Sequence, residues 1–268
     1  MRKTEFCMSE QAEIVRKLIS EARKAEVKSP GILLVADRGQ KTEWYIQEPD
    51  GKRKYLSKKE EPVARALAQA VYAKKFIAEA EKLIKEIDSM KRLGAERSPA
   101  DIYRRLSRVY ETLPAARQVL VKPYVLTDEQ FVQCWEAEPY EKKSFEPDTP
   151  EIYTERGERV RSKSEKMIAD KLLIMGVPYR YEYPYHIRGL GRVYADFTIL
   201  NVRERRTVIY EHFGRMDDPD YCRNTLRKID QYEKNGYYLG HDFLCTFESA
   251  GHILDMGHLE QLIREHIL

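Results

Sequence analysis

The sequence predicts an α/β chain in two parts. Apolar residues recur at helical spacing through most of the first 145 residues. Between residues 179 and 247, short runs rich in Val, Ile, Tyr and Phe are bounded by turn residues, the pattern of strands. Residues 138–158, between these regions, are rich in Pro, Glu, Lys and Thr and lack a period, which predicts a linker or extended loop. The expected architecture is a mainly helical region with a β-hairpin over 1–145. A mixed α/β layer over 146–268 follows, in the order helix, three strands, helix, strand, helix.

Residues 9–28 place Ile14, Leu18 and Ala22 on one helical stripe. Residues 31–47 and 54–57 read as a hairpin turning at Glu48-Pro49-Asp50-Gly51. A long helix over 60–93 carries Leu67, Val71, Leu83 and Ile87. Ser98-Pro99 starts another helix, with serine as N-cap and proline in the first turn. Thr127-Asp128-Glu129-Gln130 has the form of a capping box. In the second part the helix 164–175 precedes a strand at 179–185 and two strands at 193–200 and 207–213. Asp218 and Pro219 open a helix over 219–235, as N-cap and first-turn proline. A strand at 242–247 and a helix at 259–267 complete the order.

A chain of 268 residues is long enough to bury a sizeable core. No apolar run reaches the roughly 20 residues of a membrane helix. The start, Met1 to Cys7, has no apolar stretch of a signal peptide. Cys7, Cys134, Cys222 and Cys245 are scattered, without a CxxC pair. They read as reduced thiols, and the expected location is cytoplasmic. A net charge of +3 neither requires nor forbids nucleic acid; a local basic stripe would matter more.

The most informative pattern is Tyr194-Ala195-Asp196-Phe197 followed by Tyr210-Glu211-His212-Phe213-Gly214. The polar link 201–206 is centred between Arg203 and Glu204. A hairpin symmetric about that point opposes Leu200 to Thr207, Thr198 to Ile209, and Asp196 to Glu211. Opposed side chains have β-carbons about 5 Å apart, and like charges there destabilise the pair. Two such acids call for a cation. Mg²⁺ suits them because it accepts one or two carboxylates and keeps several waters. The plain alternative is a pair of edge acids bridged by arginines such as Arg192.

Glu165 shares a stripe with Ile168, Ala169 and Leu172, so it either supports the acids or completes a capping box with Ser162. Lys228 shares a stripe with Tyr221, Thr225 and Tyr232, while Arg223, Arg227, Asp230 and Lys234 lie on a more charged one. It points along the sheet, or its stem simply covers apolar surface. His212 alternates with Glu211 and faces the other way, as a packed histidine. Tyr179, Tyr181, Tyr183 and Tyr185 fall on one strand face, opposite Arg180 and Glu182. They serve for packing or for stacking on bases. Glu182 is expected to pair with Arg180 or another base.

The ordered set Arg161-Ser162-Lys163-Ser164-Glu165, Val177 to Glu182, Tyr194 to Phe197, Tyr210 to Gly214, Asp217-Asp218-Pro219, Lys228-x3-Tyr232 and Asn235-Gly236 resembles the PD-(D/E)XK nuclease superfamily. More narrowly, it resembles nuclease modules found in bacterial phage or mobile-element proteins and beside some helicases. The likeness covers about 110 residues of the C-terminal part. It implies a restriction-endonuclease-like core in which Asp196 and Glu211 bind Mg²⁺ or Mn²⁺ and Glu165 supports them. Two positions depart from the signature: Ala195 replaces its proline, and Phe213 stands where its lysine would be. Lys228 is the candidate for a migrated lysine.

The expected activity is therefore a metal-dependent DNA endonuclease, with RNA open as a substrate. The catalytic set is Glu165, Asp196, Glu211 and Lys228. The N-terminal part would bind or target DNA. Its candidate phosphate contacts are Lys52, Arg53, Lys54, Lys58 and Lys59 on the hairpin, and Arg104, Arg105 and Arg108 on a helix; the plain alternative is a solvated basic face. A homodimer, a helicase or another mobile-element protein are the partners this reading suggests. The alternative function is a catalytically inactive nuclease fold that binds nucleic acid or a partner protein.

Overall fold

The computed structural model describes residues 2–25, 31–37, 42–92 and 102–268, with side chains from Met8 onward. Two compact units divide the chain, Met1–Thr127 and Asp128–Leu268. The division falls earlier in the chain than residue 145. Among the described residues the class is mixed α/β, with a mainly helical first unit.

The first unit contains α1 (Arg2–Arg23), α2 (Glu61–Arg92), α3 (Ile102–Glu111) and the short α4 (Ala115–Gln118), with strands β1 (Ile32–Asp37), β2 (Thr42–Gln47) and β3 (Arg53–Leu56). Leu67, Leu83 and Ile87 of α2 are buried, Val71 is half-buried, and Tyr72 and Phe76 pack in the same core. The stretch 31–47 is two antiparallel strands rather than one, registered from Ile32↔Gln47 to Asp37↔Thr42. Arg38-Gly39-Gln40, the glycine-bearing interruption in the sequence, is the breaker signal that separates them. The turn at Gly51 is as expected: its φ is 84°, and its N–H donates to the Glu48 carbonyl at 2.9 Å. The helix start expected at Ser98-Pro99 lies outside the described residues.

The second unit begins with α5 (Asp128–Ala137) and a two-stranded ladder of β4 (Ile152–Tyr153) and β5 (Arg159–Val160). Then come α6 (Lys163–Ile174), β6 (Tyr179–Ile187), β7 (Gly191–Asn201), β8 (Arg206–Phe213), α7 (Pro219–Lys234), β9 (Phe243–Phe247) and α8 (Met256–His266). The sheet order is β6-β7-β8-β9. The first three strands are antiparallel neighbours. Strand β9 runs parallel to β8 because α7 carries the chain back between them. Helices α6 and α8 cover one face through Ile168, Leu172, Leu259 and Ile263. Helix α7 covers the other through Tyr232, against Ile209, Phe213 and Phe243.

Residues 138–151 form no helix or strand, but they do not behave as a linker. Arg180 pairs with Glu138 at 2.8 Å and lies over the Trp135 ring at 4.2 Å. Tyr140 donates its hydroxyl to the Tyr181 carbonyl at 2.9 Å, and Arg192 pairs with Glu141 at 2.8 Å. Ion pairs and aromatic packing fix this arm on the second unit, so its polar composition reports exposure rather than freedom.

The four tyrosines of β6 do not share one face. Tyr179 and Tyr181 join the α6/α8 core, whereas Tyr185 and Ile187 pack on the α7 side. On β7, Phe197 and Ile199 face α6 and α8, but Val193 and Ala195 face α7. The change occurs at Glu182, whose φ is 51°, and Asp196. These two residues are skipped in an otherwise continuous register from Tyr181↔Phe197 to Tyr183↔Ala195. A left-handed residue breaks the strand period of two, at a cost of about 1–2 kcal/mol for a side chain other than glycine. Glu182 is buried and pairs with Arg161 at 2.6 Å, which holds the conformation. Thus Arg161, and not Arg180, is its base.

Candidate active site

The register predicted for the central hairpin is the one observed: Leu200↔Thr207, Thr198↔Ile209 and Phe197↔Tyr210. Pairing stops one step before Asp196 and Glu211. The His212 N–H instead donates to Asp196 Oδ2 at 2.7 Å. Asp196 therefore lies where pairing is interrupted toward both neighbouring strands, which frees its carboxylate from the pleat and turns it toward β8.

Glu211 is 2% exposed. Its Oε1 accepts from Tyr232 Oη at 2.7 Å and lies 2.8 Å from Lys228 Nζ. Both partners come from α7, whose Asp218 N-cap accepts from the Asp220 and Tyr221 amides. The buried and exposed sides of α7 follow the predicted stripes: Thr225 and Tyr232 are buried, and Arg223, Arg227, Asp230 and Lys234 are exposed. Lys228 keeps 27% of its side chain exposed, and its Nζ lies 5.8 Å from the centroid of the Tyr232 ring.

Electrostatics join the set. Burial first, and the Glu211 charge next, hold the Asp196 carboxyl well above the usual carboxylate range; Lys228 and the His212 amide oppose this, and Glu165 adds to it. Desolvation lowers the proton affinity of Lys228, but Glu211 and Asp196 outweigh it and hold the ammonium above its ordinary range. Tyr221 and Tyr232 are both pushed up, by burial and then by these acids. Cys245, opposite Glu211 in the β8–β9 register, is pushed up to about 12 by burial and by Glu211.

Glu165 lies in the first turn of α6 and acts on Asp196 through its charge. Its Oε2 accepts from the Arg161 N–H at 2.8 Å and from Tyr181 Oη at 2.6 Å. Ser162 caps the helix by accepting the Glu165 N–H. The serine half of the capping box is therefore present, while the Glu165 carboxylate takes the N–H of the residue before the cap and the Tyr181 hydroxyl. His212 faces away from Glu211, with Nδ1 2.9 Å from Thr246 Oγ1 and Nε2 2.9 Å from Glu248 Oε2. Sequence spacing put Tyr221 and Tyr232 on the Lys228 stripe but gave them no contact with the acids, and it did not point to Glu248; these contacts come from α7 folding over the sheet and β9 joining its edge. Phe213, where the resemblance would place a lysine, is buried and stacked on Phe247 with centroids 5.6 Å apart.

The proposed phosphate contacts sit in the other unit. Lys52 is ion-paired with Asp50 at 3.0 Å and Lys54 with Glu60 at 3.1 Å; Arg53, Lys58, Lys59, Arg104 and Arg108 are exposed. Arg105 is held between Glu79 and Glu86, so it joins α3 to α2 rather than presenting its guanidinium to a ligand.

Asp196 and Glu211 offer hard oxygen donors beside one ammonium. This fits Mg²⁺ or Mn²⁺ with water completing the shell. Among the described residues, no group of three or more His, Cys, Asp and Glu could hold a metal ion. Asp196 and Glu211 are two such side chains, one short of that number.

No family model matches the chain, and no solved structure does. Over 88 residues it is 34% identical to the uncharacterized protein MJ1519 of Methanocaldococcus jannaschii. That similarity covers 32% of this chain and 7% of the archaeal protein.

Proposed function

We propose that the chain is a metal-dependent nuclease that hydrolyses phosphodiester bonds, with DNA cut internally as the first expectation. This reading takes the second unit as a restriction-endonuclease-like core of the PD-(D/E)XK kind. One observation carries it: Asp196 and Glu211 converge at a break in strand pairing, with Lys228 Nζ 2.8 Å from Glu211. A divalent ion bound by the two acids would supply a water that is nucleophilic at neutral pH and positive charge for the phosphate. Tyr232 orients Glu211 by donating to Oε1. The His212 amide orients Asp196 in the same way. The Lys228 ammonium stays protonated and adds charge stabilisation on the open side of the acids. Glu165 fixes the start of α6 and adds negative charge near Asp196.

The test is cleavage of labelled DNA and RNA substrates with Mg²⁺, Mn²⁺ or EDTA, alongside Asp196→Ala and Lys228→Ala. Metal-dependent cutting lost in Asp196→Ala is expected. Loss in Lys228→Ala with folding and metal binding intact would establish the migrated lysine. The second reading is an inactive nuclease fold that binds nucleic acid or a protein. It is favoured by Phe213 stacked on Phe247 and by Lys228 already occupying Glu211 Oε1. Metal binding without cleavage of any substrate is its signature.

A further inference from the structure

Beside the acid pair, the ends of β8 and β9 form a rim that the proposed hydrolysis does not use. The Glu248 N–H donates to the Phe213 carbonyl at 2.8 Å, and the Met216 N–H donates to the Glu248 carbonyl at 2.9 Å. These two bonds hold Arg215, next to Met216, near Phe247, next to Glu248. Arg215 is exposed, and its guanidinium lies 4.8 Å from the centroid of the Tyr221 ring. Tyr221 itself feels Asp196, Lys228 and Glu211. Phe247 is 40% exposed. It is registered with Phe213, two residues beyond Glu211 and Cys245 on their strands, and so shares their sheet face.

A cation fixed on an aromatic ring and an exposed aromatic ring backed by a second one are the two parts of a single-strand grip. The guanidinium recognises phosphate in a way an ammonium does not reproduce. The Phe213–Phe247 stack gives an unpaired base a rigid surface. A base inside an intact duplex has both faces covered by its neighbours and cannot use it.

Resting on the nuclease reading, we propose that Arg215 and Phe247 bind a strand with an unstacked nucleotide beside the scissile phosphate, so that the substrate is single-stranded, flapped or branched rather than intact duplex. The test compares labelled single-stranded, flapped and blunt duplex DNA of one sequence. Binding is measured in EDTA and cleavage in Mg²⁺, for the full chain and for Phe247→Ala, Phe247→Trp and Arg215→Ala. Wild type should prefer the first two substrates. Phe247→Ala should weaken binding to them by about 5- to 150-fold, the range for losing one base–aromatic stack. Phe247→Trp should retain affinity, with indole emission quenched by the bound strand. Arg215→Ala should weaken binding and flatten the salt dependence by about one charge. Equal binding of duplex and single strand, or no change in Phe247→Ala and Arg215→Ala while wild type cuts, would overturn this inference and leave the nuclease reading standing. Neither binding nor cutting of any form by wild type would remove both.

Discussion

Lys228 is the residue on which the charge balance of the second unit turns. Without it, Glu211 and Asp196 are like charges in an enclosed space. Lys228→Met should lower stability by about 3–5 kcal/mol in EDTA, read from urea unfolding, because it leaves a buried acid without its ion-pair partner. Asp196→Asn should act in the opposite direction. The folded state raises the proton affinity of Asp196, so its contribution to stability is complete below the unfolded carboxylate value, about 3.9. That contribution is lost as pH rises through the folded value. In EDTA at pH 8 the asparagine variant should therefore equal or exceed wild type, and the difference should vanish near pH 3. Mg²⁺ should raise the melting temperature of wild type but not of Asp196→Asn. A more stable wild type at pH 8 in EDTA would refute the pH argument. The nearness of Asp196 to Glu211 was legible in sequence because hairpin symmetry is a local rule, whereas helical spacing left Lys228 equally able to cover apolar surface. Tyr232 Oη on Glu211 was not legible, since it depends on the distance between α7 and the sheet.

At the scale of elements, the kink at Glu182 and Asp196 decides which side of the sheet each side chain serves. A period of two assumes right-handed strand backbone throughout, so the four β6 tyrosines looked equivalent in sequence. One left-handed residue separates Tyr179 and Tyr181 from Tyr185, and nothing in the residue type announces it. The Arg161–Glu182 pair keeps that residue in place. Arg161→Met should destabilise the fold by about 3–5 kcal/mol, since it leaves Glu182 buried and unpaired. It should also weaken any metal-dependent activity, because Asp196 lies across the same break. Helix α7 offers a milder test. Asp218→Ala removes an N-cap and should lower stability by about 1 kcal/mol in urea unfolding. The cap was legible because Asp-Pro at a helix start is a local signal; the split of 31–47 into β1 and β2 depended on giving Gly39 more weight than the apolar runs around it.

Over the whole molecule, each unit has its own hydrophobic clusters: one spans Met8 to Val125, and two lie within 160–267. A fragment covering 128–268 should unfold cooperatively on heating. One starting at 146 should melt lower, because it lacks Glu138 and the Trp135 ring for Arg180 and Asp128 for Arg205. Equal melting temperatures would show that the arm is dispensable. The arm was read as a linker because exposed anchoring segments and free tethers share a composition; only the buried arginine beneath it distinguishes them. That arginine has a spectroscopic consequence. The sequence contains two tryptophans, Trp44 in the first unit and Trp135 in the second. Each unit therefore carries its own indole chromophore, and the Trp135 indole lies against the Arg180 guanidinium. Single-tryptophan variants would give two separate emission signals, one following the β-sheet of the first unit and the other the docking of the arm.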